Sequence, residues 1–246
     1  MWFRAKACSL VLVALACTPG AALSQNGVGA NGSKTPAAGE QSNPTVGEVF
    51  GPNLVRAEVI TLENGTLNDY RVDRGLIRSL GRGSLELQER DGTIATIPIA
   101  DAAIDIDGRA VGVSSLRVRM RATTLRSLSG AAKRISVSNR KQGTLDRELP
   151  KLTGGGFVRA ETITVTGNRI DDYRLDQGAI QSVRGSTLTL LEADGRTVAL
   201  TLDSNTQVGG RKGAGALRTL KPQMSVLTLR RGNNPVLSIW TVSPRS

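Results

Sequence analysis

Any chemistry in this chain must be done by carboxylates, hydroxyls and a few amines, because its 246 residues include no histidine. Without imidazole there is no Ser-His or Cys-His activation, no ordinary zinc site, and no side chain titrating near neutrality unless strongly perturbed. The carboxylates with suggestive spacing are Glu58 with Asp73 and, 103 residues further on, Glu161 with Asp176. Such a pair could act as acid and base on a glycosidic bond if both members met in one cleft. Sugar clefts usually offer an aromatic platform, however, and aromatic residues make up only 3% of the chain. Ser-Lys activation is the other formal route, but Lys34, Lys133, Lys141, Lys151, Lys212 and Lys221 fall mostly in apparent turns or linkers.

Two further patterns imitate sites. Gly27-Val28-Gly29-Ala30-Asn31-Gly32 matches the dinucleotide-binding glycine spacing, but that motif works only between a strand and a helix whose N–H groups meet the pyrophosphate. Here it lies in a Gly-, Asn- and Ser-rich stretch. Asp101, Asp105, Asp107 and Gly108 suggest a calcium loop, yet the ligand spacing is incomplete and the second repeat has no matching carboxylates. Because Ile104 and Ile106 alternate with Asp105 and Asp107, the aspartates are expected on the solvent face of a strand. No catalytic residue, cofactor or metal site follows from these motifs, and the chain is expected not to be an enzyme.

Charge is the property that stands out. The formal net charge is +11, or +9 once Arg4 and Lys6 of a signal segment are removed. It is unevenly spread, with −5 over residues 25–108, +9 over 109–151, −2 over 152–210 and +7 over 211–246. Arg117, Arg119 and Arg121 alternate with Val118 and Met120, which predicts a strand with three guanidinium groups on one face. With Arg126, Arg211, Lys212, Arg230 and Arg231 they form the candidate partner-binding set. A basic stripe could hold an anionic polymer through salt-sensitive contacts. Nucleic acid is a weaker fit, because single-strand binders interleave basic residues with stacking aromatics. Docking of one repeat's basic half on the other's acidic half is the plain structural alternative.

These residues are carried by a duplicated unit. Val55-Arg56-Ala57-Glu58 returns as Val158-Arg159-Ala160-Glu161, and the 103-residue shift then holds without a gap through Ile99 and Leu202, with 18 of 45 positions identical. Asp69-Tyr70-Arg71-x-Asp73-x-Gly75 and Asp172-Tyr173-Arg174-x-Asp176-x-Gly178 belong to the shared set. A structural role is sufficient for them: Asp73 and Gly75 suit a turn, Tyr70 could cover a barrel end, and Arg71 could pair with a carboxylate. Apolar residues alternate with polar ones in short runs, the strand signal, and Asp91-Gly92 and Asp194-Gly195 mark hairpin turns. About six strands per repeat are predicted, enough for a small closed barrel.

The order Gly178-x-Ile180, Leu188-Thr189-Leu190, Asp194-Gly195, Asn205-Thr206-x-Val208, Leu217, Leu220-Lys221-Pro222-Gln223-Met224 and Ile239 resembles a bacterial family of small exported β-barrel domains of unknown function, often found in tandem. Both repeats fit it, although Ala103-Ile104-Asp105-Ile106 stands where repeat two has Asn205-Thr206. The resemblance implies an exported barrel and carries no catalytic residues.

The predicted organisation is all-β: a signal peptide over 1–24, a flexible tether over 25–53, a barrel of OB or SH3 type over 54–138, a linker over 139–156, and a second barrel over 157–243. Arg4 and Lys6 followed by the apolar run from Ala7 to Ala16 make an export signal too short to span a bilayer. Cleavage after Ser24 would leave a periplasmic or secreted chain without cysteine; processing at Cys17 would leave a lipid anchor instead. The expected role is a non-enzymatic binding or scaffold module of the bacterial envelope, partnered by a protein or an anionic polymer. A single-strand nucleic-acid binder and a carboxylate-dependent hydrolase are the alternatives.

Overall fold

A computed structural model of the protein describes residues 43–138 and 156–242, so the expected signal segment, most of the expected tether and residues 139–155 of the expected linker lie outside the described residues. The first repeat comprises β1 (Leu54–Glu63), β2 (Thr66–Leu80), β3 (Ser84–Glu89), β4 (Ile94–Pro98), β5 (Ala103–Ile106), β6 (Arg109–Val111), β7 (Arg121–Ser127) and β8 (Ala132–Val137). The second comprises β9 (Phe157–Thr166), β10 (Arg169–Arg184), β11 (Thr187–Glu192), β12 (Thr197–Thr201), β13 (Gln207–Val208), β14 (Arg211–Lys212), β15 (Ser225–Arg231) and β16 (Val236–Thr241). A single turn of helix, α1 (Val46–Val49), precedes them, and α2 (Ala214–Leu217) follows β14. The all-β expectation holds, with more strands per repeat than the alternation alone predicts.

All sixteen strands belong to one mixed sheet, in the order β14-β13-β16-β15-β10-β9-β1-β2-β7-β8-β5-β6, with β3–β4 and β11–β12 branching from β2 and β10. The two repeats therefore share a sheet instead of forming two separate ones. They meet where β1 runs antiparallel to β9, and Glu58 lies opposite its own counterpart Glu161. Arg56 faces Ile163 and Ile60 faces Arg159, so the junction repeats itself about that glutamate pair like a two-fold axis. Period-two alternation cannot reveal this, because it says which face a side chain occupies and not which strand lies alongside.

One face of the junction is apolar. Ala57, Val59, Val72, Ala160, Leu175 and Leu229 form a buried central cluster with Val49, Phe50, Leu54 and Phe157. Residues 43–53, within the expected tether, thus belong to the fold. Thr45 and Glu48 make a reciprocal capping box that starts α1. Asn43 donates to the Leu237 carbonyl at 2.5 Å in repeat two, and Arg74 of repeat one donates to the Gly51 carbonyl at 2.6 Å. Each repeat also has its own aliphatic cluster, around Ile77, Leu85, Leu87, Ile97 and Ile135 in the first and around Ile180, Leu188, Leu190, Leu200 and Ile239 in the second.

The shared Asp-x-Gly elements lie inside the long strands β2 and β10, not in turns. Gly75 faces Glu89 and Gly178 faces Glu192, and a Cβ at either position would come within 3.0 Å of a backbone carbonyl oxygen, Gln88 O or Leu191 O. Gly75→Ala or Gly178→Ala should therefore lower stability by about 1–3 kcal/mol through backbone overpacking. Chemical denaturation checks it, and an unchanged midpoint would mean that the strand pair can spread. Asp91-Gly92 and Asp194-Gly195 do make hairpins. Only the glycines have positive φ, at 90° and 86°, so each loop is a three-residue turn with a glycine bulge instead of a two-residue turn.

Candidate functional site

The predicted basic stripe is not a strand. Residues 117–120 form a turn that leads into β7, with Arg119 at φ 71°, the counterpart of Gln223 at φ 70° in Lys221-Pro222-Gln223-Met224. Met120 N–H donates to the Arg117 carbonyl at 3.3 Å, and Met224 N–H to the Lys221 carbonyl at 3.3 Å. Proline at the second position of such a turn, aligned with Val118, was the available signal. Arg117 turns back onto the Ser114 and Leu116 carbonyls, and Val118 is 53% exposed. Arg119 and Arg121 are exposed, as are Arg211 and Lys212 on β14. The remaining three candidates are engaged within the fold: Arg126 by Asp73, Arg230 by Asp176, and Arg231 by Asp171 and the Tyr173 hydroxyl and ring.

Of the calcium-like aspartates, Asp101 and Asp107 are exposed and Asp105 is structural. Asp105 is buried, not solvent-facing, because β5 runs parallel to β8 and places it against Ser136 Oγ, which donates to it at 3.1 Å. It also accepts from Gly108 N–H and closes the turn into β6.

Polar side chains converge instead on the face of the junction opposite the apolar cluster. In repeat one, Arg56 Nη1 lies 2.5 Å from Glu89 Oε2 and 2.7 Å from Asp91 Oδ2. Arg71 joins Glu58 at 3.0 Å and Asp73 at 2.8 Å, and Arg126 meets the other Asp73 oxygen at 3.0 Å. Repeat two rebuilds the cluster: Arg159 lies 2.7 Å from Glu192 and 2.6 Å from Asp194, Arg230 lies 3.3 Å from Asp176, and Arg174 lies 3.4 Å from Glu161. Arg71 thus pairs with carboxylates as the sequence suggests. The cluster members Arg56, Glu89 and Asp91 escape a search for catalytic spacing. Their identity in both copies was the signal that could have found them.

The electrostatics repeat with the geometry. The side chains of Glu89 and Glu192 are 0% exposed, and the Oε1 atom of each is buried without a hydrogen-bond partner among the described residues. Burial pushes both carboxyls up to about 7, and neighbouring carboxylates add to the shift, against the pull of Arg56 or Arg159. Burial also acts on Asp91 and Asp194, but donation from Thr93 or Arg196 backbone and from the arginines outweighs it and holds both below 3.8. Each arginine therefore bridges one carboxyl that resists ionisation and one that favours it. Arg56→Met should cost about 2–3 kcal/mol at pH 8, toward the low end for a broken buried pair because the guanidinium is partly exposed. The loss should be smaller at pH 5, where Glu89 is protonated; equal losses at both pH values would show that Glu89 does not titrate.

At the two-fold junction a shallow pocket of about 220 Å³ is lined by Arg56, Ala57, Glu58, Glu161, Thr162, Ile163 and Asp172. The structure brings Glu58 and Glu161 directly opposite each other, a like-charge placement that Arg71 and Arg174 offset. Glu58 and Asp73 also meet, but through one arginine, with Asp73 fully buried. The pocket lining has no aromatic side chain. No group of three or more metal-ligating side chains occurs among the described residues, and no helix there is long and apolar enough to cross a membrane. No protein-family model matches the chain, and a comparison with curated proteins found no match.

Proposed function

We propose that this is a non-enzymatic, exported binding or scaffold protein of the bacterial envelope, which engages a protein partner by strand addition at its sheet edges. The observation that carries this is the occupation of the clustered carboxylates: Glu89, Asp91 and Asp73, with Glu192, Asp194 and Asp176, are each tied to an arginine inside the fold. A general acid or nucleophile needs a face open to substrate, and these are used to hold strands together. Each repeat is interpreted as a small barrel-type module of OB or SH3 kind, supported by its own aliphatic cluster between β2–β3–β4 and β7–β8–β5, or their counterparts. The resemblance to tandem exported barrel domains points the same way.

Strand addition is favoured over an anionic polymer because Arg126, Arg230 and Arg231 are spent on internal pairs. An added strand needs only unpaired backbone groups, which β4, β6 and β12 offer at the ends of the hydrogen-bonded paths among the described residues. In-cell cross-linking followed by mass spectrometry should join the chain to an envelope protein through residues at these ends. Cross-links confined to the central junction face, or turnover of a glycoside abolished by Glu58→Gln, would overturn the proposal.

A further inference from the structure

The repeats differ at one edge in a way that nothing in their shared core requires. In β4 and β12 the hydrogen bonds from Ile99 N–H to Gly83 and from Leu202 N–H to Ser186 set the alternation of the ladders. By that alternation the outward backbone groups belong to Ile94, Thr96 and Pro98 in β4, and to Thr197, Ala199 and Thr201 in β12. Pro98 removes one outward donor from β4, the usual protection of an edge strand. β12 has neither proline nor charge: Thr197-Val198-Ala199-Leu200-Thr201 carries β-branched residues at 197, 198 and 201, pairs only with β11 among the described residues, and has exposed Leu191 beside it.

We infer that β12 is a homodimerisation edge, which pairs antiparallel with β12 of a second copy about Ala199. This rests on the interpretation of the sheet edges as binding surfaces. The strand is nearly palindromic in side-chain type, so pairing centred on Ala199 sets Thr197 against Thr201 and Val198 against Leu200. All the outward groups, at 197, 199 and 201, then face one another in register. Val198 and Leu200 are already buried in the repeat-two cluster, and pairing would run that apolar layer on across the new ladder. Arg196 would lie opposite Leu202, one residue from Asp203 of the other copy, which adds charge complementarity at each end. The chain already uses this device internally, since β1 and β9 pair antiparallel about the equivalent glutamates and merge two repeats into one sheet.

Ala199 is exposed, so its replacement leaves the core untouched. Sedimentation equilibrium of the purified protein should give a concentration-dependent monomer–dimer equilibrium, with dimer appearing below millimolar concentration as for a small, weak interface. Ala199→Lys and Ala199→Glu should each weaken association about fivefold by setting like charges opposite each other, and an equimolar mixture should restore it. A wild-type protein that stays monomeric at millimolar concentration overturns the inference. So does a dimer that neither substitution weakens, or a mixture no tighter than the single variants. A monomer that still cross-links to an envelope protein through β12 would remove self-pairing alone, whereas the loss of both would remove the edge-binding interpretation too.

Discussion

Raising the pH from 4.5 to 8 should destabilise the protein, by up to about 3 kcal/mol for each of the two buried glutamates. In the unfolded chain Glu89 and Glu192 release their protons near 4.5; in the fold they hold them to about 7. Between those values the folded state binds more protons, so stability falls with rising pH and levels off above 7. The size follows from the interval between 4.5 and about 7, over which each tenfold change in proton binding is worth about 1.4 kcal/mol. Asp91 and Asp194 act in the opposite sense, since their folded values lie below 3.8 and their contribution disappears as the pH falls through them. Stability should therefore be greatest in mildly acidic solution. The signal is cleanest above about pH 5.5, where ordinary carboxylates are already ionised and the chain has no histidine to titrate. Urea midpoints at pH 4.5, 6, 7 and 8 measure it, and a Glu89→Gln, Glu192→Gln double variant should have a nearly flat profile. Wild-type stability that rises across this range would show that the arginines keep both glutamates ionised.

Phe50→Ala should destabilise the whole fold by about 3–5 kcal/mol, the usual range for removing a buried aromatic ring. Phe50 is completely buried in the central cluster, and its segment is fastened to repeat one through Arg74 and to repeat two through Leu237. The ring fills the apolar side of the junction at which β1 and β9 meet, so its loss leaves a cavity shared by both halves. At a urea dependence of about 2 kcal/mol per molar, the midpoint should drop by about 2 M. A drop of less than a quarter of that would mean that residues 43–53 pack too loosely to support the junction. The effect should be the same at pH 4.5 and pH 8, in contrast to that of Arg56→Met, because the ring lies in an apolar cluster that contains no carboxylate.

The same contrast separates what was legible in the sequence from what was not. Strand content followed from alternation, as in Leu85 and Leu87, and the hairpins from Asp91-Gly92 and Asp194-Gly195. Alternation failed at Arg117–Arg121, where a turn with a left-handed Arg119 mimics the period of a strand over three residues. It failed again at Asp105, which alternates with isoleucine yet is buried because β8, alongside in the sheet, brings Ser136 and Arg134 onto its carboxylate. The arginine–carboxylate clusters were visible only as identities between the copies, since Arg56 and Glu89 are 33 residues apart and meet through strand register.

By itself the sequence determined the duplication, the β class and the exclusion of imidazole chemistry. These are local properties, set by side-chain type and backbone freedom. Only the tertiary structure decided that the repeats merge through β1 and β9, that residues 43–53 seal the junction, and that Arg126, Arg230 and Arg231, expected to reach a partner, pair with buried carboxylates instead. Strand pairing uses backbone groups that every residue carries, so the choice of neighbour is made by the packing of whole faces. The fate of each charge follows from that choice.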